Sequence, residues 1–170
     1  WCGAKTKVTE TGTLKSAGEA LVLRRGTTLE VDGGKIEANY FSFLSGKVIA
    51  KNNATITSGP IWVSNGGSYA NEGNVELTLD NSTWTSSGNI KLTSTHDNGV
   101  VLNVQNGAKL SASSKEYGDN VIGSSAVVNV DNAVLNVGTK VTNEGEINAT
   151  NGAIISTPKD VTIGGNVNVD

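Results

Sequence analysis

The sequence predicts an all-β fold, a chain wound into a β-solenoid, and three observations predict it. The first is composition. Of 170 residues, 36% are hydrophobic and 5% aromatic, methionine is absent, and there are 21 glycines. Asn, Thr, Ser, Gly and Val supply the missing bulk, a mixture poor in helix formers and rich in β-branched residues. The second is period. Apolar residues alternate with polar ones in short runs such as Val75–Leu79, Ile90–Leu92, Leu102–Val104 and Val128–Val130, which sets every second side chain on one face of a strand. The third is repetition. One theme recurs: a glycine, a short alternating strand, a turn of Asn, Asp or Gly, a small residue, then a second short strand.

The theme runs along the chain in order. Residues 1–25 depart from it and are expected to be an N-terminal cap or irregular start, with Leu14–Leu23 a cap or a short helical turn. Across residues 26–170 the units follow one another: Gly46–Ile56, Gly59–Tyr69, Gly73–Trp84, Val100–Leu110, Val127–Leu135 and Gly145–Ile155. Gly46, Gly59, Gly73 and Gly88 lie 13, 14 and 15 residues apart. The apolar residue of the second strand falls at Ile36, Ile56, Tyr69, Trp84, Leu110, Leu135 and Ile155. That loose period is what turns of varying length produce while strands keep register. A coil of about 20–25 residues gives roughly seven or eight turns spaced ~4.8 Å, a rod about 35 Å long.

A strand of four to six residues cannot bury its apolar side alone, and stacking coils buries it. A β-sandwich or barrel is the alternative, because it also shows short strands at intervals. One recurring theme with small, β-branched inward residues favours the solenoid. Asn and Gly suit the corners, since both tolerate the left-handed region, and stacked corner Asn residues are expected to form hydrogen-bonded ladders. Open strand edges at the ends invite pairing. Gly164–Asp170 reads as the first half of a unit, so the polypeptide is expected to continue beyond Asp170.

Composition also excludes function classes. A formal net charge of −3 with no basic block leaves no electrostatic footprint for nucleic acid. No apolar run approaches the ~20 residues of a membrane-spanning helix. Recurrent Val, Ile and Leu argue against disorder. A chain starting at Trp1 reads as a processed or excised piece. Cys2 is the single cysteine, so no internal disulfide forms; a free thiol is expected, with pairing between chains as the alternative.

Asp80–Leu92 resembles the NATW…G…L phrase of pertactin-like passenger domains of Gram-negative autotransporters. Gly145–Ile154, with Asn143 before it, is similar to the N-x-G-x-I-x-x-x-N-G-A unit of that group. The likeness is one of repeat style over residues 26–170. It implies a right-handed parallel β-helix, export across two membranes, and display at the cell surface or secretion. Hemagglutinin-type two-partner secreted proteins are the nearest relatives in style.

Catalytic signals are sparse. A polysaccharide-processing β-helix enzyme needs grouped carboxylates, two of them about 5–9 Å apart for glycoside cleavage. Asp32, Asp80 and Asp131 share the corner position and read as turn residues bonding their own backbone. His96 is the one histidine and has no Cys or second His to share a metal. Calcium at Asp97 and Asp119 is an alternative that lacks an Asp-x-Asp-x-Asp-Gly phrase. No metal, no cofactor and no enzyme activity are expected. Trp84 and Tyr69 replace the Ile or Leu of other units and are expected inside. Tyr40–Phe43 is the densest aromatic patch, either a core plug or a contact surface. Arg24 and Arg25 read as a solvated turn. The pairs Thr55/Thr57, Thr83/Thr85 and Thr93/Thr95 are too sporadic for ice binding, and the glycosylation sequons at Asn53, Asn81 and Asn148 read as chance matches in an Asn/Thr-rich chain.

The expected function is therefore contact: a surface rod acting in adhesion or self-association, as in cell aggregation, biofilm or virulence. Its expected partners are copies of itself, other cell-surface proteins or glycans, with no nucleic acid and no membrane insertion. The candidate contact residues are Tyr40, Phe41, Phe43 and Trp62, with Thr95, His96, Asp97, Lys115, Glu116 and Tyr117 in the excursions at 93–99 and 111–126, because loops on a rigid scaffold carry recognition. A fibre subunit stacking edge to edge and a polysaccharide-processing enzyme are the alternatives.

Overall fold

The computed structural model describes residues 4–16, 18, 20–24, 26–64, 73–94, 99–113 and 118–170. These form a parallel β-solenoid, with no helix among the described residues. Twenty-two strands make three sheets of eight, seven and seven. Face A stacks Lys5–Thr9, Thr28–Asp32, Gly46–Lys51, Val75–Asp80, Val100–Gln105, Ala126–Asp131, Glu146–Thr150 and Asn166–Val169. Face B stacks Thr13–Lys15, Lys35–Ala38, Thr55–Ser58, Thr83–Ser86, Lys109–Ala112, Val134–Val137 and Ile154–Ser156. Face C stacks Leu21–Leu23, Phe41–Phe43, Ile61–Ser64, Ile90–Thr93, Asn120–Ile122, Val141–Asn143 and Val161–Ile163. Each coil gives one strand to each face, so the chain winds seven coils and the opening strand of an eighth.

Register holds while coil length changes. On face A, Lys5, Thr28, Lys47, Glu76, Val101, Val127, Glu146 and Asn166 form one outward column. The chain takes 19 residues from Thr28 to Lys47 and 29 from Lys47 to Glu76. The difference falls between strands, since Ile61–Ser64 is followed next by Val75–Asp80, as the loose period predicts. The A-to-B corner is the most regular. Gly33, Asn52, Asn53, Asn81, Asn106, Asn132 and Asn151 adopt left-handed backbone there, with φ between 45° and 71°. A small inward residue follows: Gly34, Ala54, Ser82, Ala108 or Ala133. At Gly34 a Cβ would lie 2.5 Å from the Thr9 carbonyl oxygen, so the tight corner itself demands the small residue. The glycine series of the sequence mixes two corners, with Gly46 and Gly73 entering face A and Gly59 and Gly88 entering face C.

The interior follows the period of two. Ile36, Ile56, Trp84, Leu110, Leu135 and Ile155 form one inward column of face B. Tyr69 lies outside the described residues, and the column passes from Ile56 directly to Trp84. Gly59–Tyr69 is therefore not a coil of its own; its Ile61–Ser64 portion is a face C strand. Trp84 is fully buried. Its ring meets Phe41 edge-on at 4.8 Å, Phe41 stacks on Phe43 at 5.5 Å, and its indole N–H donates to Ser58 Oγ at 2.8 Å. Phe41 and Phe43 are fully buried. This corrects their candidacy as partner contacts: Ser42 points outward between them, and the two rings plug the core.

The N-terminus also differs from expectation. Lys5–Thr9, Thr13–Lys15 and Leu21–Leu23 pair with the next coil on all three faces. Leu14–Leu23 thus gives strand residues to this first coil, with no helical turn among its described residues. Its strands on faces B and C are three residues long, too short for alternation to register in the sequence. At the other end the last inward residues are uncovered: Val169 is 79% exposed, whereas Ala149 above it is 6%. A cavity of about 60 Å³ opens in the nearby interior between Leu135, Val141, Ile147 and Val161.

Candidate functional site

The outer side of face A carries the most ordered arrangement of polar groups, in two styles. In coils 1 to 3 it is ionic. Glu30 is 8% exposed and receives Lys51 Nζ at 2.9 Å, Lys5 Nζ at 3.2 Å and Lys7 Nζ at 3.5 Å. Hydrogen bonds from Lys51, then Lys5, hold its carboxyl down to about 2. Asp32 accepts from Asn52 Nδ2 at 2.7 Å and Lys7 Nζ at 2.9 Å, and these two donors lower its carboxyl in that order. The ammonium groups respond in kind. Lys7 is raised chiefly by Asp32, and Lys51 chiefly by Glu30. Lys47 reaches Glu76 of coil 4 at 2.7 Å.

From coil 4 onward the central column of the same face is an amide ladder. Asn103 Nδ2 donates to Thr78 Oγ1 at 3.3 Å, Asn129 Nδ2 to Asn103 Oδ1 at 2.9 Å, Asn148 Nδ2 to Asn129 Oδ1 at 2.9 Å and Asn168 Nδ2 to Asn148 Oδ1 at 2.7 Å. Every donor points to the preceding coil, so the amide dipoles align along the axis and polarise one another. Asn148 also donates to Glu146 Oε1 at 2.8 Å.

The third column, at the corner, alternates carboxylates with donors: Asp32, Lys51, Asp80, Gln105, Asp131 and Thr150. Asp80 accepts from Gln105 Nε2 at 3.0 Å and Asn106 Nδ2 at 2.9 Å. Asp131 accepts from Asn151 Nδ2 at 2.5 Å and Thr150 Oγ1 at 2.8 Å, and these donors, Asn151 first, hold its carboxyl below the usual range. The corner amides therefore cap single carboxylates; the continuous ladder runs on the strand face instead. A general acid needs a raised carboxyl pKa, and the donors around Asp32 and Asp131 act in the opposite direction.

The remaining predicted contacts scatter. Tyr40 and Trp62 are half-buried on the face C side, their rings 5.5 Å apart and tilted by 47°. The Trp62 indole N–H donates to buried Asn89 Oδ1 at 2.9 Å. Thr95, His96, Asp97, Lys115, Glu116 and Tyr117 lie outside the described residues. The excursion at 111–126 shrinks, because Lys109–Ala112 and Asn120–Ile122 are strands and Ala126 opens another. Thr55 and Thr57 stand in register with Thr83 and Thr85 on face B. That makes a four-hydroxyl patch of two coils where the sequence looked sporadic, flanked by Lys35 and Lys109. Of the sequons, Asn53 and Asn81 are exposed corner residues, while Asn148 belongs to the ladder. No group of three or more His, Cys, Asp or Glu side chains is placed to hold a metal among the described residues.

Asn103, Asn129, Asn148 and Asn168 were not anticipated as a unit. Their signal was present: each stands between two apolar residues in the first strand of its coil. Compared with protein-family models, curated proteins and solved structures, the chain gives no match.

Proposed function

We propose that this β-solenoid is a non-enzymatic passenger in the style of the pertactin-like autotransporters, displayed at the cell surface or secreted. It acts in adhesion or self-association through its side face. The observation that carries this reading is the outer side of face A, a regular array of ionic and amide groups on a scaffold whose register fixes their spacing. Such an array offers many polar contacts at once and no isolated reactive group. The corner carboxylates support the non-enzymatic part, since each is engaged by amide, hydroxyl or ammonium donors. Copies of the chain, other surface proteins and glycans are the partners that suit it.

The test is display of the chain on bacterial cells, scored for concentration-dependent clumping and for binding to other cells. Absence of both overturns the reading. Turnover of uronic-acid polymers that disappears in Asp80→Asn or Asp131→Asn would replace it with an enzyme. A fibre subunit stacking edge to edge is the second reading; ordered filaments of the isolated chain would support it.

A further inference from the structure

Face A is divided by charge as well as by style. Its strands in coils 1 to 3 carry Lys5, Lys7, Lys47 and Lys51 against Glu30 and Asp32. Its strands from coil 4 onward carry Glu76, Asp80, Asp131 and Glu146 and no lysine or arginine. The face is thus net basic at one end and purely acidic over the rest. The ladder dipoles add to this asymmetry, with N–H groups directed toward the basic end and carbonyls toward the acidic end.

We infer that face A of one copy docks on face A of a second copy in antiparallel fashion, the basic coils of each lying against the acidic coils of the other. This rests on the self-association part of the reading above and names its partner and geometry. The choice of direction comes from register. Two identical faces can meet by a two-fold axis along the solenoid or by one along the strands. The first sets each coil against its own equivalent and exchanges the two outer columns. Lys47 then faces Lys51, and Glu76 faces Asp80, both like-charge juxtapositions that oppose docking. The second, centred between coils 4 and 5, pairs coil 3 with coil 6 and coil 2 with coil 7 and keeps each column opposite itself. Lys51 then faces Asp131, Thr28 faces Glu146, Asp80 faces Gln105 and Ile49 faces Asn129. No two like charges meet.

The size of the face sets the strength. Three columns by seven or eight coils cover about 15 Å by about 34 Å, roughly 500 Å² per copy. That is at the low end for specific interfaces. A single pair is therefore weak and sensitive to salt, while many copies on two apposed surfaces gain from multivalency.

The experiment uses the whole chain with Cys2→Ser and reads sedimentation at low and high salt. Dimer at low salt, weakened about tenfold or more at ~0.5 M salt, is expected. Lys51→Glu and Asp131→Lys should each weaken it about tenfold or more, because each change enters the two-fold interface twice. An equimolar mixture of the two variants, and the Lys51→Glu/Asp131→Lys double variant, should recover dimer. Circular dichroism confirms that each remains folded. Should a charge variant fail to fold, crosslinking decides. In a mixture of Ile49→Cys and Asn129→Cys chains, mild oxidation should join 49 to 129. Disulfides of 49 to 49 in its place would mean parallel docking and overturn the inference, as would a dimer indifferent to both charge changes. In either case clumping of displaying cells would leave the contact reading standing. A chain that stays monomeric at low salt overturns the inference, and displaying cells that neither clump nor bind other cells overturn the contact reading as well.

Discussion

The two ends of face A occupy equivalent positions in the fold yet hold them differently. Around Glu30 the central column is stabilised by three ammonium groups from Lys5, Lys7 and Lys51. Around Asn129 the same column is held by neutral amides donating in one direction. The backbone does not prefer either solution, because both sit on the same parallel ladder with buried apolar residues beneath. What differs is the response to solvent. An ionic column weakens with salt and acid; an amide column has no charge to screen or titrate. Strand spacing, not side-chain type, is the common requirement.

The largest perturbation should abolish the distinction altogether. Trp84→Ala empties the interior shared by both regions and leaves Ser58 without its indole partner. It should cost about 3–5 kcal/mol, read as a shifted denaturation midpoint with both ends of face A losing amide protection together. Loss confined to one end would show that the coils unfold as separate units.

Next in size is the ladder. Asn129→Ala removes the bonds to Asn103 and Asn148 and should cost about 1–2 kcal/mol, equally at low and high salt. A cost that shrinks with salt would mean the ladder acts through nearby carboxylates instead of through its amides.

Acid should separate the two ends. Glu30, at about 2 in the folded chain, compares with about 4.3 for an unfolded glutamate. A carboxyl lowered by folding stabilises above its unfolded value, and the contribution disappears as pH falls toward the folded one. Asp32 is lowered in the same direction. Between about pH 5 and pH 2, hydrogen-exchange protection should fall in Thr28–Asp32 before it falls in Val100–Gln105, a strand without a titrating side chain. Equal loss in both strands would deny the ionic column a role in stability. The smallest effect belongs to Lys15→Ala, whose partner Glu37 lies at 2.8 Å on the solvated side of face B. Both side chains are about half exposed or more, and no measurable change in midpoint is expected.

Much of this architecture was legible in the sequence because it depends on period. Val75–Leu79, Leu102–Val104 and Val128–Val130 alternate cleanly and became face A. The column from Ile36 to Ile155 was visible in the sequence, although Ile56 is followed directly by Trp84 where Tyr69 was expected between them. The first coil was obscured by three-residue strands that hold too few positions to show alternation. Phe41 and Phe43 were ambiguous as aromatics, although Ser42 between them carried the period that buries both. The ladder was anticipated at the wrong place. Asn is a turn residue by local propensity, and only alignment of coils of unequal length reveals four Asn residues sharing a strand position. Charge division along face A was likewise hidden, since it requires knowing which residues point outward.

The unequal coils carry one more consequence. Ten additional residues between Lys47 and Glu76, compared with the preceding circuit, leave every rung of face A in place. Such a scaffold separates what is wound from what is hung on it: sequence can grow at an edge while the shaft remains unaltered. Variation in length between strands thus has somewhere to accumulate without disturbing their register.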